Sequence, residues 1–195
     1  MDAFLTTCGF SEPIKLRPNP TVLRFLRQNT VWITFPVCMD INRGISQLKD
    51  RKPQKAQRLA DWWAATLQTY PYCDGMSPAA AEIYAAMQVC RGLRDLWAAP
   101  IQARNPRWGG NLMIAAISLA ENKPVATVCA KRFLQIREHF PQLRVYGIAD
   151  GCWLEPKPPT TRSARSAWPS FPTRSPAFPA LRLDGQKRTG GEARP

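Results

Sequence analysis

The chain has 195 residues, enough to bury one core with length to spare. It carries 27 Lys and Arg against 14 Asp and Glu, and this net charge of +13 favours RNA, DNA or an acidic protein as partner. Six scattered cysteines with a single histidine argue against a zinc site and indicate reduced thiols in the cytoplasm, while no signal peptide or membrane span is visible.

The first 50 residues predict two strands that alternate with two helices. A mixed apolar and hydroxyl stretch at residues 4–10 predicts the first strand, and apolar residues within 22–26 predict a short helix. Residues 31–35 are all β-branched or aromatic, which is typical of a strand covered on both faces. Pro36 then begins a helix that continues to Leu48, because proline suits a first helical turn.

Asp40 is the candidate site residue of this region. It lies about one turn into the helix, beyond the carboxyl end of the preceding strand, which is where open α/β sheets place their ligands. The alternative is an exposed acid that interacts favourably with the helix dipole.

The middle of the chain predicts further helices and an irregular loop. A long helix over 56–70 carries Trp62 and Trp63, which suit the core or the face of a homodimer, with a platform for stacking nucleic-acid bases as the alternative. Another helix begins at Pro78. The loop that follows carries Arg104 and Arg107 beside tryptophans, a composition that suits phosphate contact or a solvated loop.

The last folded segment predicts a buried helix followed by strand, basic helix and strand. Asn111 is a good N-cap for the apolar run at 112–120. Strands are predicted at 124–128 and 143–148, with a basic helix at 130–139 between them. This alternation predicts an α/β domain with a mainly parallel sheet.

The composition changes at residue 155. Residues 155–195 hold 8 of the 19 prolines and eight Lys or Arg against three acids, without apolar periodicity. We therefore predict one folded domain at 1–154 and a basic, disordered tail rich in Pro, Arg and Ser at 155–195.

Four segments carry motifs in a characteristic order: LTTCGFSEP at 5–13, DINRGI at 40–45, NLMIAAIS at 111–118 and PVATVC at 124–129. Together they resemble the PIN-domain family, specifically the VapC and FitB toxins of bacterial toxin–antitoxin pairs. The resemblance implies a PIN-like three-layer α/β/α fold with a mainly parallel central sheet. It also implies an antitoxin protein as partner.

The resemblance further implies a metal site. In that family four acids at the carboxyl end of the sheet hold Mg²⁺ or Mn²⁺, which activates water to cut RNA. The matching positions here are Thr6, Asp40, Asn111 and Cys129, so Asp40 is the metal ligand that the pattern retains. Five basic residues are the candidates for contact with RNA: Arg43, Arg104, Arg107, Lys131 and Arg132.

Two functions remain open at this point. One is a toxin-type ribonuclease that uses Mg²⁺ or Mn²⁺ and is impaired by the loss of three acids. The other is a catalytically inactive PIN-like protein that binds RNA or an antitoxin and needs no cofactor. The altered acids and the low-complexity tail also fit a third origin, a decayed or frame-shifted gene product.

Overall fold

The computed structural model describes residues 1–73, 75–98 and 108–154. The predicted tail and the loop residues Arg104 and Arg107 lie outside this part of the chain. The fold is therefore that of the predicted N-terminal domain.

Within the described residues, six strands form one sheet: β1 Asp2–Leu5, β2 Thr30–Thr34, β3 Tyr72–Cys73, β4 Val125–Thr127, β5 Val145–Gly147 and β6 Cys152–Trp153. Their order across the sheet is β3-β2-β1-β4-β5-β6. All neighbours are parallel except β5 and β6, which are antiparallel. The predicted α/β class with a mainly parallel sheet is confirmed.

Helices connect the strands: α1 Thr7–Phe10, α2 Pro20–Gln28, α3 Phe35–Lys49, α4 Pro53–Thr69, α5 Pro78–Val89, α6 Gly110–Ala120 and α7 Lys131–His139. Two 3-10 helices cover Glu12–Ile14 and Arg91–Leu96. Helices α2 to α5 each have a proline in their first turn, where its missing amide costs no hydrogen bond. No helix among the described residues has both the length and the apolar character needed to cross a bilayer.

The sheet is covered on both faces, which makes the architecture three-layered. In β1, Ala3 and Leu5 join the larger hydrophobic cluster, whereas Phe4 packs with Ala80 of α5 and Ile117 of α6 in a second cluster. This alternation follows from the two-residue period of a strand. Strand β1 is therefore buried on both sides and lies at the centre of the domain.

The start of the chain differs from the predicted strand at 4–10. The strand ends at Leu5, and residues from Thr7 to Phe10 form the single turn of α1. Phe10 is buried there, edge-on to the rings of Trp63 and Tyr70 at centroid distances of 6.4 and 5.4 Å. This packing on α4 requires the chain to turn away from the sheet, which overrides the extended propensity of the stretch.

The beginning of α6 also differs from the prediction. Gly109, not Asn111, is the N-cap residue, and its φ of 75° lies in the left-handed region that favours glycine. A Cβ at Gly109 would lie 2.9 Å from the hydroxyl of Tyr84, so the space is closed as well. The prediction that α6 is buried nearly all round is confirmed, because Leu112 and residues 114–118 are all buried.

The two neighbouring tryptophans of α4 divide between core and surface. Trp63 is 3% exposed and belongs to the larger hydrophobic cluster, while Trp62 is partly buried against it. Trp63 therefore belongs to the core, which is one of the predicted alternatives. The homodimer stays a prediction.

Candidate functional site

The candidate site lies at the carboxyl ends of β1 and β4. From β1 the sheet continues through β2 and β3 on one side and through β4 and β5 on the other, so the chain order reverses between β1 and β4. Open α/β sheets form their ligand crevice at this kind of switch point. Leu5 pairs with Ala126 in the register, which places Thr6 beside Thr127 at the edge of the sheet.

Two buried threonines and a cysteine are joined by hydrogen bonds at this edge. The hydroxyls of Thr6 and Thr127 lie 3.0 Å apart, and the side chains are 4% and 1% exposed. The sulfur of Cys8 lies 3.1 Å from the Thr6 hydroxyl and 3.6 Å from that of Thr127. The amide of Cys129 donates to the same Thr127 hydroxyl at 3.1 Å. The structure therefore brings two predicted positions, Thr6 and Cys129, into one cluster with Cys8.

The surroundings of Cys8 favour its thiolate form. Burial raises the pKa of the Cys8 thiol, but its hydrogen bonds with Thr6, with Thr127 and with the amides of Val128 and Cys129 outweigh this effect, so the pKa is lower than usual. The pKa of Cys129 is shifted in the opposite direction. The charge of Cys8 raises the pKa of Cys129, with burial and the hydrogen bond between the two side chains adding to the effect. Cys8 is therefore the more acidic thiol of the two and loses its proton first.

Asp40 lies in the second turn of α3 and has three polar partners. Its Oδ2 accepts a hydrogen bond of 3.1 Å from the Thr7 hydroxyl, and its Oδ1 accepts one of 3.0 Å from the indole of Trp108. The guanidinium of Arg43, one turn later, forms an ion pair with Oδ1 at 3.5 Å. The Asp40 side chain stays 30% exposed. Its charge is thus balanced locally and fixed to α1 and to the start of α6.

Asn111 is the second residue of α6, beside the segment that carries Trp108. It is half-buried. A Cβ on the preceding Gly110 would lie 2.8 Å from the indole of Trp108, so the ring packs closely against the start of the helix. Because that indole donates to Asp40, the amino end of α6 is tied to α3.

Of the residues predicted to contact RNA, three are described. Lys131 and Arg132 open α7 and are exposed, directly after Cys129. Arg43 is 46% exposed and bound to Asp40, so part of its charge is used within the protein. Arg104 and Arg107 lie outside the described residues.

Glu12 fixes the loop beside the site. Its side chain is 5% exposed and accepts hydrogen bonds from Lys15 Nζ at 2.5 Å and from the amide of Asn19 at 3.0 Å. These two hydrogen bonds hold the pKa of Glu12 below its ordinary value of 4.5, and the one from Lys15 has the larger effect. The carboxylate therefore closes the loop between α1 and α2.

Glu12→Gln is expected to remove a pH-dependent part of the stability. A carboxylate with a lowered pKa stabilises the fold above its unfolded value of 4.5, and this contribution is lost as the pH falls through the lower, folded value. We expect the variant to lose about 1–3 kcal/mol of unfolding free energy at about pH 7 and much less at about pH 3. Urea unfolding at both pH values measures the difference.

Glu138→Gln is the matched control, because Glu138 is an exposed glutamate on α7. It should change stability by no more than about 0.5 kcal/mol at either pH. An equal loss for Glu12→Gln at both pH values would show that the charge of Glu12 contributes nothing.

The donor set at the sheet edge does not fit a hard divalent ion. Mg²⁺ and Mn²⁺ are held by carboxylates, carbonyls and water, whereas the predicted positions supply two neutral polar side chains, a thiol and one carboxylate. Among residues 1–73, 75–98 and 108–154, no three His, Cys, Asp or Glu side chains gather as a metal site.

Sequence reasoning does not single out four residues that shape this site: Thr7, Cys8, Thr127 and Trp108. Thr7 and Cys8 fall in a stretch predicted as strand, where their side chains would point to opposite faces. Thr127 and Trp108 act through partners far away in the chain. Only the position of Thr127 could have indicated its role, because it ends a strand two residues before the predicted site residue Cys129.

Comparison with known proteins identifies the fold. No family model matches the chain, and no curated protein matches its sequence. The structure is similar to a chain of FitAcB from Neisseria gonorrhoeae, with a TM-score of 0.54 and 18% identity over 76% of this chain and 99% of that one.

Two further solved structures show the same likeness. VapBC2 from Rickettsia felis, bound to a DNA fragment from its promoter, gives a TM-score of 0.52 and 21% identity over 75% of this chain and 98% of that one. VapBC-1 from nontypeable Haemophilus influenzae gives 0.51 and 17% over 76% and 99%. At these identities the likeness concerns the fold, and the predicted PIN-like three-layer α/β/α fold is confirmed.

Proposed function

We propose that this protein is a toxin-type member of a toxin–antitoxin pair, of the VapC and FitB kind, that binds an antitoxin protein and whose metal-dependent ribonuclease chemistry is impaired. The observation that carries the proposal is the likeness to FitAcB and VapBC chains over nearly their whole length, combined with a sheet edge that keeps only Asp40. The fold supports an antitoxin protein as partner, and the residues of the site argue against efficient cleavage of RNA.

The hydrogen bonds and the ion pair of Asp40 are the main reason why we propose antitoxin binding, and not catalysis, as the main function. Hydrolysis of a phosphodiester by a metal ion needs open oxygen ligands that position the ion and its activated water. Here both carboxylate oxygens of Asp40 accept hydrogen bonds, and Arg43 lies beside them. A divalent ion would have to displace these partners without help from a second acid at Thr6, Asn111 or Cys129.

A specific observation favours weak ribonuclease activity as the second candidate. The Asp40 side chain is 30% exposed at the correct edge of the sheet, and the exposed Lys131 and Arg132 begin a helix at the same edge. Basic side chains beside a crevice bind the phosphates of RNA without regard to sequence. Under this alternative RNA binds and is cut slowly.

The positive charge supports an acidic or polyanionic partner in either case. The net charge of +13 attracts an acidic protein segment as well as RNA, and both attractions weaken as salt is added. Charge therefore does not separate the two candidates, and the experiment has to measure binding and cleavage independently.

The experiment expresses the full chain together with the product of the adjoining gene and asks whether the two proteins purify as one complex. We expect a stable complex and, for the isolated chain, no RNA cleavage above background in Mg²⁺ or Mn²⁺. Cleavage that disappears in Asp40→Ala would establish the second candidate. Neither complex nor cleavage would overturn the assignment to a toxin–antitoxin pair.

A further inference from the structure

Two of the six cysteines, far apart in the sequence, meet at the edge of the sheet. Cys8 and Cys129 each lie two residues beyond one of the paired threonines, Thr6 and Thr127. The Cys8 sulfur is 3.6 Å from the Thr127 hydroxyl, and the amide of Cys129 is 3.1 Å from that same hydroxyl. The two cysteines therefore approach the same hydroxyl from the two segments that follow β1 and β4.

The polar groups around Cys8 can donate hydrogen bonds to a negatively charged sulfur. Thr6 and Thr127 have one hydroxyl proton each, and both oxygens lie within reach of the Cys8 sulfur. The amides of Val128 and Cys129 donate to the same sulfur. Because Thr6 donates its proton to Thr127, the Thr127 hydroxyl and the two amides remain as donors to Cys8, and a thiolate, which is an acceptor only, matches them better than a thiol does.

Cys129 has the properties of a resolving cysteine, which reacts after the first cysteine has been oxidised. Cys129 is exposed, whereas Cys8 is half-buried, and both are free thiols in the structure. The charge that Cys8 gains on ionisation raises the pKa of Cys129, so Cys129 is the second of the two thiols to lose its proton. Reactive redox cysteines combine thiolate character, access to solvent and a neighbouring second thiol.

We propose that Cys8 and Cys129 form a peroxide-reactive thiol pair that closes reversibly into an intramolecular disulfide. The inference is independent of the proposed function, because it requires neither a metal nor RNA nor a second protein. Its co-reactants are a hydroperoxide in the forward direction and a dithiol in the reverse direction.

The chemistry balances in two steps. The Cys8 thiolate attacks one oxygen of hydrogen peroxide, the O–O bond breaks, hydroxide leaves, and Cys8 becomes a sulfenic acid. The Cys129 sulfur then attacks the Cys8 sulfur, the S–O bond breaks, and water leaves with the Cys129 proton. Two thiols lose two electrons in total, and one peroxide is reduced to water and hydroxide.

The consequence for the site is a covalent bond across the crevice. Cys8 lies in α1, next to Thr7, which donates to Asp40, and Cys129 lies between β4 and α7. A disulfide would therefore join the segments that follow the two central strands. It would also change the charge and position of the sulfur that lies within reach of the Thr6 and Thr127 hydroxyls.

The test treats the reduced full-length protein with stoichiometric hydrogen peroxide, blocks the remaining thiols and maps the peptides by mass spectrometry. We expect a linked pair of peptides that contain Cys8 and Cys129, lighter by about 2 Da than the two reduced peptides, and its reversal by dithiothreitol. Cys152→Ser is the matched control, because Cys152 is an exposed free cysteine outside the pair. It should leave the product unchanged.

Two variants separate the roles of the two cysteines. Cys129→Ser should stop the reaction at a Cys8 sulfenic acid that dimedone traps, and Cys8→Ser should abolish both products. Thr127→Val removes one hydrogen bond to the sulfur and should slow the alkylation of Cys8 about tenfold at neutral pH, with the pH midpoint shifted upward. Oxidation of Cys8 no faster than that of Cys152, or a disulfide to any other cysteine, would overturn the proposal.

Discussion

Introducing three acids, by Thr6→Asp, Asn111→Asp and Cys129→Asp together, should create a divalent metal site at the edge of the sheet. A carboxylate about 4 Å from a charge contributes about 4 kcal/mol per unit charge at an effective dielectric of 20, before desolvation. If about 3 kcal/mol of the total survives, Mn²⁺ affinity rises about a hundredfold. Calorimetry with Mn²⁺ and RNA cleavage assays measure the gain.

A neutral variant, Thr6→Asn with Cys129→Asn, is the matched control, because asparagine has the size of aspartate without its charge. It should bind no more Mn²⁺ than the unaltered protein. The added acids also repel one another without metal, so Mn²⁺ should raise the melting temperature of the triple variant above that of the control. A folded triple variant that binds no metal would show that these positions do not form one site.

Phe10→Ala should destabilise the domain by about 3–5 kcal/mol of unfolding free energy. The side chain is 2% exposed and its ring meets Trp63 and Tyr70 edge-on, so truncation leaves a cavity between α1 and α4. The same change frees the turn that carries Thr7 and its hydrogen bond to Asp40. Guanidinium unfolding followed by tryptophan fluorescence measures the loss.

Phe35→Ala is the comparison for the core variant, because Phe35 begins α3 and is 41% exposed. Its loss of stability should be well below half that of Phe10→Ala, since less apolar surface returns to water. Equal losses would mean that the packing of α1 on α4 contributes little to the fold.

The centre of the fold was readable from the sequence because local and tertiary preferences agree there. Residues 31–35 suit a buried strand, Pro36 suits a first helical turn, and the structure has β2 to Thr34 and α3 from Phe35. The same agreement placed β4, α7 and β5 within two residues of their predicted ends.

Predictions failed where a distant contact decides the local structure. The chain leaves the sheet after Leu5 because Phe10 packs on α4, some 50 residues further on. Gly109 caps α6 although Asn111 is the better N-cap by propensity, because Tyr84 and Trp97 crowd the left-handed turn. The two-residue strands β3 and β6 are too short to give a periodic pattern.

The residues that the motifs named are only partly brought together by the structure, and their role as a site stays a prediction. The motifs led to Thr6, Asp40, Asn111 and Cys129, and the structure places Thr6 and Cys129 in one cluster and ties Asp40 to the start of α6. Cys8 and Cys129 approach the same Thr127 hydroxyl although they lie 121 positions apart, and no local pattern reveals this. The partners of Asp40 were hidden for the same reason.

The measurement that tests the central claim most directly is Mg²⁺ and Mn²⁺ binding by calorimetry on the purified protein, with Asp40→Ala as the control. The account predicts no binding by either protein up to millimolar metal, because Asp40 is committed to Thr7, Trp108 and Arg43 and, within the described part of the chain, belongs to no group of three His, Cys, Asp or Glu side chains. Micromolar binding that Asp40→Ala abolishes would contradict the account and identify a working metal centre.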